Sequence, residues 1–158
     1  MVEVRALGPD DWETTRSLRL AALLDAPEAF GGSYEESSQR AEADWRDWPA
    51  GGQVFAAWIG DEPAGMACWY PDKENPKAGQ LVAMWVARAA RGTGAAGALI
   101  EAVVQRARAA DNAVLELVVC RTNAAAHRAY LKSGFVETGP SDRWPDCIVM
   151  RRDLRGDL

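Results

Sequence analysis

Arg88, Arg91 and the run Gly92-Thr93-Gly94-Ala95-Ala96-Gly97 bring two positive charges and three glycines together in one short stretch. A hydrophobic run over residues 81–86 precedes them, and an Ala/Leu/Val-rich stretch that reads as a helix follows. The first N–H groups of a helix have no partner inside it and carry partial positive charge, so such a turn is suited to holding phosphate. Glycines let phosphate oxygens come close to the backbone. A plain strand-to-helix turn is the other reading of the same residues.

Three phosphate-bearing ligands compete for this turn. A Walker-type nucleotide loop needs Lys followed by Ser or Thr, whereas Gly97 is followed by Ala98 and Leu99, so that reading fails. Gly92 to Gly97 does satisfy G-x-G-x-x-G, and Glu116 stands downstream at a distance suited to a dinucleotide ribose. Against it, five residues, both arginines among them, separate the strand from the first glycine. The chain also has one parallel strand–helix–strand unit where a dinucleotide domain repeats it. The third reading uses more of the chain. Arg91-Gly92-Thr93-Gly94-Ala95-Ala96 is an R-x-x-G-x-A run, and further on stands Asn123-Ala124-Ala125-Ala126-His127-Arg128-Ala129-Tyr130-Leu131-Lys132-Ser133-Gly134-Phe135, which reads N-x-x-A-x-x-x-Y-x-x-x-G-F. Together and in this order the two runs closely resemble motifs of the GNAT superfamily of N-acetyltransferases, and the order of strands and helices matches that family over nearly the whole chain.

The resemblance implies acetyl-CoA as acyl donor and an amine as acceptor; with one histidine and no His and Cys cluster at metal spacing, no metal is expected. It implies that the coenzyme A pyrophosphate rests on Arg91, Gly92, Thr93, Gly94, Ala95, Ala96 and Gly97, and that Trp85 and Val86 lend backbone groups to the pantetheine arm and the thioester carbonyl. An N–H aimed at that carbonyl would stabilise the oxyanion of a tetrahedral intermediate. Asn123 has two readings, a helix cap and a coenzyme contact. Tyr130 matches the position of the family's general acid on the leaving thiolate; a core tyrosine beside Phe135 is the alternative. The base is less defined. An alkyl amine of pKa about 10.4 is only about one part in 2,500 neutral at pH 7, so deprotonation matters. The strand over 81–86 has no ionisable group, which leaves Glu116 on the next strand as the candidate base, or else an ordinary sheet carboxylate. Asp142 and Asp146 are weaker candidates, and His127, the one histidine, reads as a partly exposed helix residue. Acceptor choice is expected from residues 30–36 and 139–146, where Tyr34, Glu35, Glu36, Asp142, Arg143 and Trp144 fit a cationic amine; solvated loop charge is the plainer reading.

The elements that must position these residues follow from pattern. Alternation over 2–6 reads as a strand, and a helix over 14–24 ends before Pro27. Residues 30–36 read as polar loop and 41–48 as a short helix. Strands follow over 54–59, 64–70 and 81–86, then a helix over 94–109 and a continuously apolar strand over 114–120. A helix over 123–133 and strands over 135–138 and 147–153 complete the chain. The resulting class is α/β (α+β): a single GNAT-like domain over 1–158, with a mixed, mostly antiparallel central sheet flanked by helices and a splayed strand pair holding acetyl-CoA.

Composition agrees with this. At 158 residues, 48% hydrophobic and 26% charged, the chain suits one soluble domain with a sizeable core. The net charge of −5 argues against a nucleic-acid partner, and no apolar run is long enough for a membrane. No signal peptide is evident, so a cytoplasmic location is expected. Cys68, Cys120 and Cys147 are widely spaced among apolar residues and read as free thiols buried in strands. Homodimers are common in the family, and the sequence leaves the oligomeric state open. A catalytically silent acyl-CoA-binding sensor or interaction domain is the rival to an enzyme.

Overall fold

The computed structural model describes residues 2–27, 30 and 32–155. β1 (Val2–Leu7) leads into α1 (Trp12–Asp25), and two short helices follow, α2 (Tyr34–Ser38) and α3 (Glu42–Arg46). β2 (Gln53–Ile59), β3 (Glu62–Pro71) and β4 (Ala78–Val86) form an antiparallel meander. Then come α4 (Ala95–Ala109), β5 (Val114–Cys120), α5 (Ala124–Lys132), β6 (Val136–Pro140) and β7 (Cys147–Asp153). The seven strands make one sheet in the order β1-β2-β3-β4-β5-β7-β6. Only the β4–β5 pair is parallel, as a strand–helix–strand connection requires. The mostly antiparallel sheet expected from the sequence is present.

Alternation along the strands sorts side chains into two layers. On β3, Ala67 and Trp69 face α4, where Leu99, Ile100, Val103, Val104 and Ala107 are fully buried with Leu115, Leu117, Phe135 and Met150. Met66 and Cys68 face the other way and pack with Leu18 of α1 and with Leu7, Val54 and Ala56. The sheet is thus sandwiched, with α4 on one side and α1 on the other.

Two irregularities shape the middle of the sheet. β4 and β5 are paired only over Ala78, Gly79 and Gln80 against Val114, Leu115 and Glu116. Beyond Gln80 the β5-facing edge of β4 has no partner strand, so β4 and β5 form the expected splay. On its other side β4 carries a bulge: Met66 pairs with Trp85 while Cys68 pairs with Val82, and Ala83 takes a positive φ of 56°. An extra residue in one strand re-aims the side chains after it. Here it lets Val82, Ala83 and Trp85 all pack on the α1 side, while Met84 and Val86 pack on the α4 side.

Three expectations need revision. Residues 34–38 are helical rather than loop, because the Ser33 hydroxyl accepts a hydrogen bond from the Glu36 N–H at 3.1 Å and caps the turn. β4 begins at Ala78, earlier than its apolar run suggests, because pairing with β3 and β5 extends it. The cysteines are not all free. Cys120 ends β5 and Cys147 begins β7, and the antiparallel register sets them directly opposite with Cα atoms 3.9 Å apart, where they form a disulfide. Cys68 is the free one; burial pushes its thiol up to about 12.

Candidate active site

The end of β4 and the turn after it form the most articulated region of the molecule. After Val86 the chain makes a 3-10 turn over Arg88–Ala90, closed by Ala90 N–H donating to the Ala87 carbonyl at 2.9 Å. Gly92 and Gly94 then take φ of 82° and 91°. A Cβ at either position would meet nothing within 4 Å, so the requirement for glycine here is the left-handed backbone and not space. The Thr93 hydroxyl donates to the Ala90 carbonyl and pins the turn. No side chain caps α4, and its first backbone bond runs from Ala98 N–H to the Gly94 carbonyl at 3.0 Å. The N–H groups of Ala95, Ala96 and Gly97 therefore have no partner within the helix. This uncapped positive end lies just past the splayed end of β4.

The two arginines of the turn are already organised. Arg91 donates from Nε to the Val86 carbonyl at 3.2 Å and from a terminal nitrogen to Oδ2 of Asp25 at 2.9 Å. Arg88 lies 3.5 Å from Oδ1 of the same carboxylate. The Trp85 indole N–H also donates to Asp25 Oδ2, at 3.0 Å. Asp25, the last residue of α1, thus ties together the end of β4 and both arginines. The Trp85 hydrogen bond, with the charges of Arg91 and Arg88, holds its carboxyl below the usual range. Sequence reading missed Asp25. One signal was present: an acid at a helix C-terminus faces the negative end of the helix dipole, so it calls for cations from elsewhere.

The remaining expected residues fall into two groups. Tyr130 of α5 is buried, its ring edge-on to Phe135 at 5.8 Å between centroids. It belongs to the cluster into which Met84 and Val86 of β4 and Ala126 and Ala129 of α5 pack, so the end of β4 and the face of α5 share one core. Burial raises the phenol's pKa, which keeps it protonated. Asn123 caps α5, its side-chain oxygen accepting from Ala126 N–H at 3.3 Å.

Glu116 lies elsewhere. It sits at the closed end of the splay, where Arg151 grips Oε2 at 2.6 and 3.0 Å and Gln80 approaches Oε1 at 3.5 Å. Gln80 and Trp85 are five strand positions apart, about 16 Å at the usual rise. Glu116 thus lies a strand's length from the end of β4; the carboxylate held at that end is Asp25. His127 pairs with Glu137 at 2.8 Å on the exposed side of α5. Glu35, Glu36, Asp142 and Asp146 are exposed. Among the described residues no group of three or more His, Cys, Asp or Glu could hold a metal ion, and no helix is long and apolar enough to cross a membrane.

Comparison with known proteins agrees with this geometry. The family described as Acetyltransferase (GNAT) family matches residues 19–135, from α1 to the end of the α5 motif. No curated protein sequence matches the chain. Among solved structures, an acetyltransferase of the GNAT family from Streptococcus pneumoniae is similar at a TM-score of 0.75 and 19% identity, covering 97% of this chain and 99% of that one. The yncA protein of Salmonella typhimurium, solved with its cofactor acetyl-CoA, gives 0.78 at 19% identity over 98% and 94%. The PaiA N-acetyltransferase of Thermoplasma acidophilum, in complex with coenzyme A, gives 0.75 at 13% identity over 97% and 99%. With the family matched across most of its length, including the glycine turn and the Asn123 to Phe135 run, this chain belongs to the GNAT family of acetyltransferases.

Proposed function

We propose that the protein is an acetyl-CoA-dependent N-acetyltransferase that moves the acetyl group to a primary amine by direct attack in a ternary complex. The observation that carries this reading is the uncapped first turn of α4, flanked by Arg88 and Arg91 and lying at the open end of the β4–β5 splay. That turn offers N–H donors and positive charge to a pyrophosphate, and the unpaired edge of β4 offers backbone groups to an amide-bearing arm laid along it. The relatives solved with acetyl-CoA and coenzyme A support the same donor.

The chemistry then follows. The neutral amine nitrogen attacks the thioester carbonyl carbon and gives up its extra proton to solvent, and the C=O electron pair moves to oxygen, where a β4 N–H near Val86 would meet it. Collapse breaks the C–S bond, and the departing thiolate takes a hydrogen bond from the Tyr130 hydroxyl. A phenol of raised pKa is a poor proton donor to a thiolate whose thiol has a reference pKa of about 8.5, so Tyr130 acts by hydrogen-bonding developing charge and solvent completes the protonation. Asp25, with its lowered pKa and three cationic or N–H partners, is a poor base. Glu116 keeps its expected part as proton acceptor only if a relay spans the length of the splay. Glu116→Gln tests this, and an unaltered pH profile would remove it from the reaction.

The same two facts about Asp25 and Glu116 favour, as a second reading, a silent acyl-CoA-binding domain. Thiol release from acetyl-CoA against a panel of amines, amino acids and peptides separates them. The enzyme reading requires turnover, with Tyr130→Phe lowering kcat while coenzyme affinity holds. Tight acetyl-CoA binding with no turnover across the panel would favour the silent domain.

A further inference from the structure

Among the described residues, Arg19 of α1 is a partly buried charge without a counter-charge. Its guanidinium lies 5.1 Å from the Phe30 ring centroid and 5.5 Å from that of Trp48. Among the described residues it has neither an ion pair nor a hydrogen bond. Beneath it the Cys68 thiol stays protonated, and the nearby charge is a like one, Arg40, itself stacked 5.4 Å from the Trp45 ring. Burial holds the Arg19 pKa down, Cys68 opposes it, and Arg40 adds a smaller downward push. Ring faces repay part of the desolvation of a guanidinium, but a partly buried cation beside a second one is ordinarily matched by an anion.

The absence of a side chain at Gly32 leaves a small space at the tip of Arg19. A Cβ on Gly32 would come 3.6 Å from a terminal nitrogen of Arg19 and 3.8 Å from the Ser37 hydroxyl, so both groups border the same small opening. Ser37 is 3% exposed, and its hydroxyl makes no hydrogen bond among the described residues. The opening lies on the sheet face away from α4, over Cys68, whose β4 partner is Val82. Along α1, Arg19 precedes Asp25 by six residues, about 9 Å, and Asp25 holds Trp85 at the end of β4. An acceptor reaching the end of β4 along α1 would span that distance.

We propose that Arg19, Ser37 and Arg40 form an anion subsite for the acceptor, which is therefore an amine carrying a carboxylate or phosphate group and not a purely cationic amine. This rests on the transferase reading above. The test compares kcat/KM for primary amines of equal chain length with and without a terminal acid, such as 5-aminopentanoate and aminobutyl phosphate against pentylamine. Wild type is expected to prefer the anionic members by about tenfold or more, the scale of a charge-assisted hydrogen bond. Whether carboxylates or phosphates lead identifies the anion. In Arg19→Gln the preference falls to about one, with the KM for acetyl-CoA unchanged, and Arg19→Lys retains part of it. No preference in wild type, or a preference that survives Arg19→Gln, overturns the proposal. If no amine is turned over, the transferase reading fails by itself, and thermal shift decides the subsite. Aminobutyl phosphate, 5-aminopentanoate or inorganic phosphate raising the Tm of wild type but not of Arg19→Gln supports it; equal shifts, or none, reject it. Should Arg19→Gln unfold, Ser37→Ala takes its place in both assays.

Discussion

Asp25 carries the most connected set of contacts near the proposed donor site, joining Trp85, Arg88 and Arg91 through one carboxylate. Replacing it with Asn keeps the shape but weakens the charge-assisted bond that aims Arg91. The KM for acetyl-CoA is expected to rise about fivefold with a smaller change in kcat, measured by thiol release. Acid titration gives an independent readout. The folded pKa of Asp25 lies below its unfolded value of about 3.9, so its stabilisation is complete above that value and is lost as pH falls through the folded pKa. In urea unfolding, the gap between wild type and Asp25→Asn should be level from about pH 5 to 8 and close below about pH 4. Tyr130 is tested differently. Removing its hydroxyl leaves the ring in its packing against Phe135, so Tyr130→Phe is expected to hold the melting temperature while kcat falls about 100-fold, the low end for acid–base groups.

At the scale of elements, the glycine turn and the bulged β4 matter most. Gly94→Ala forces a Cβ into a left-handed conformation at the N-cap of α4, at a cost of about 1–2 kcal/mol. For a chain of this length that lowers Tm by about 2–8 °C, and it disturbs the proposed phosphate seat as well. Reducing the Cys120–Cys147 bond should lower Tm further, because it opens a loop spanning 27 residues, worth up to about 3.5 kcal/mol in chain entropy. These elements were legible in the sequence to different degrees. The turn and α5 were readable because their signals are local: glycines where φ is positive, Asn123 at a cap, Gly134 after the last turn. Ser33 with Glu36 three residues on was a readable cap that the surrounding glycines obscured. The bulge at Ala83 and the Cys120–Cys147 pairing follow from register between strands, and nothing local encodes register. For the same reason Glu116 looked available as a base: its grip by Arg151 joins two strands 35 residues apart.

Across the whole molecule, a chain of net charge −5 gathers arginines in two places on the α1 side of the sheet, at the turn after β4 and between α1 and α3. Local basic sites in an acidic protein favour small anionic ligands over polyanions, which the general negative field repels. The fold brings the two together because α1 reaches from Arg19 to Asp25 across the strands that end at the turn. Their contacts span 60 residues or more, from Asp25 to Trp85 and Arg91, which is why the sequence pointed to the glycine turn and not to the residue that ties its arginines together. Calorimetric titration with acetyl-CoA of wild type and Arg91→Glu tests the central claim most directly. Saturable one-site binding by wild type, weakened about tenfold or more by the charge reversal, is the predicted result; equal affinity in the two proteins would contradict the phosphate seat and the function built on it.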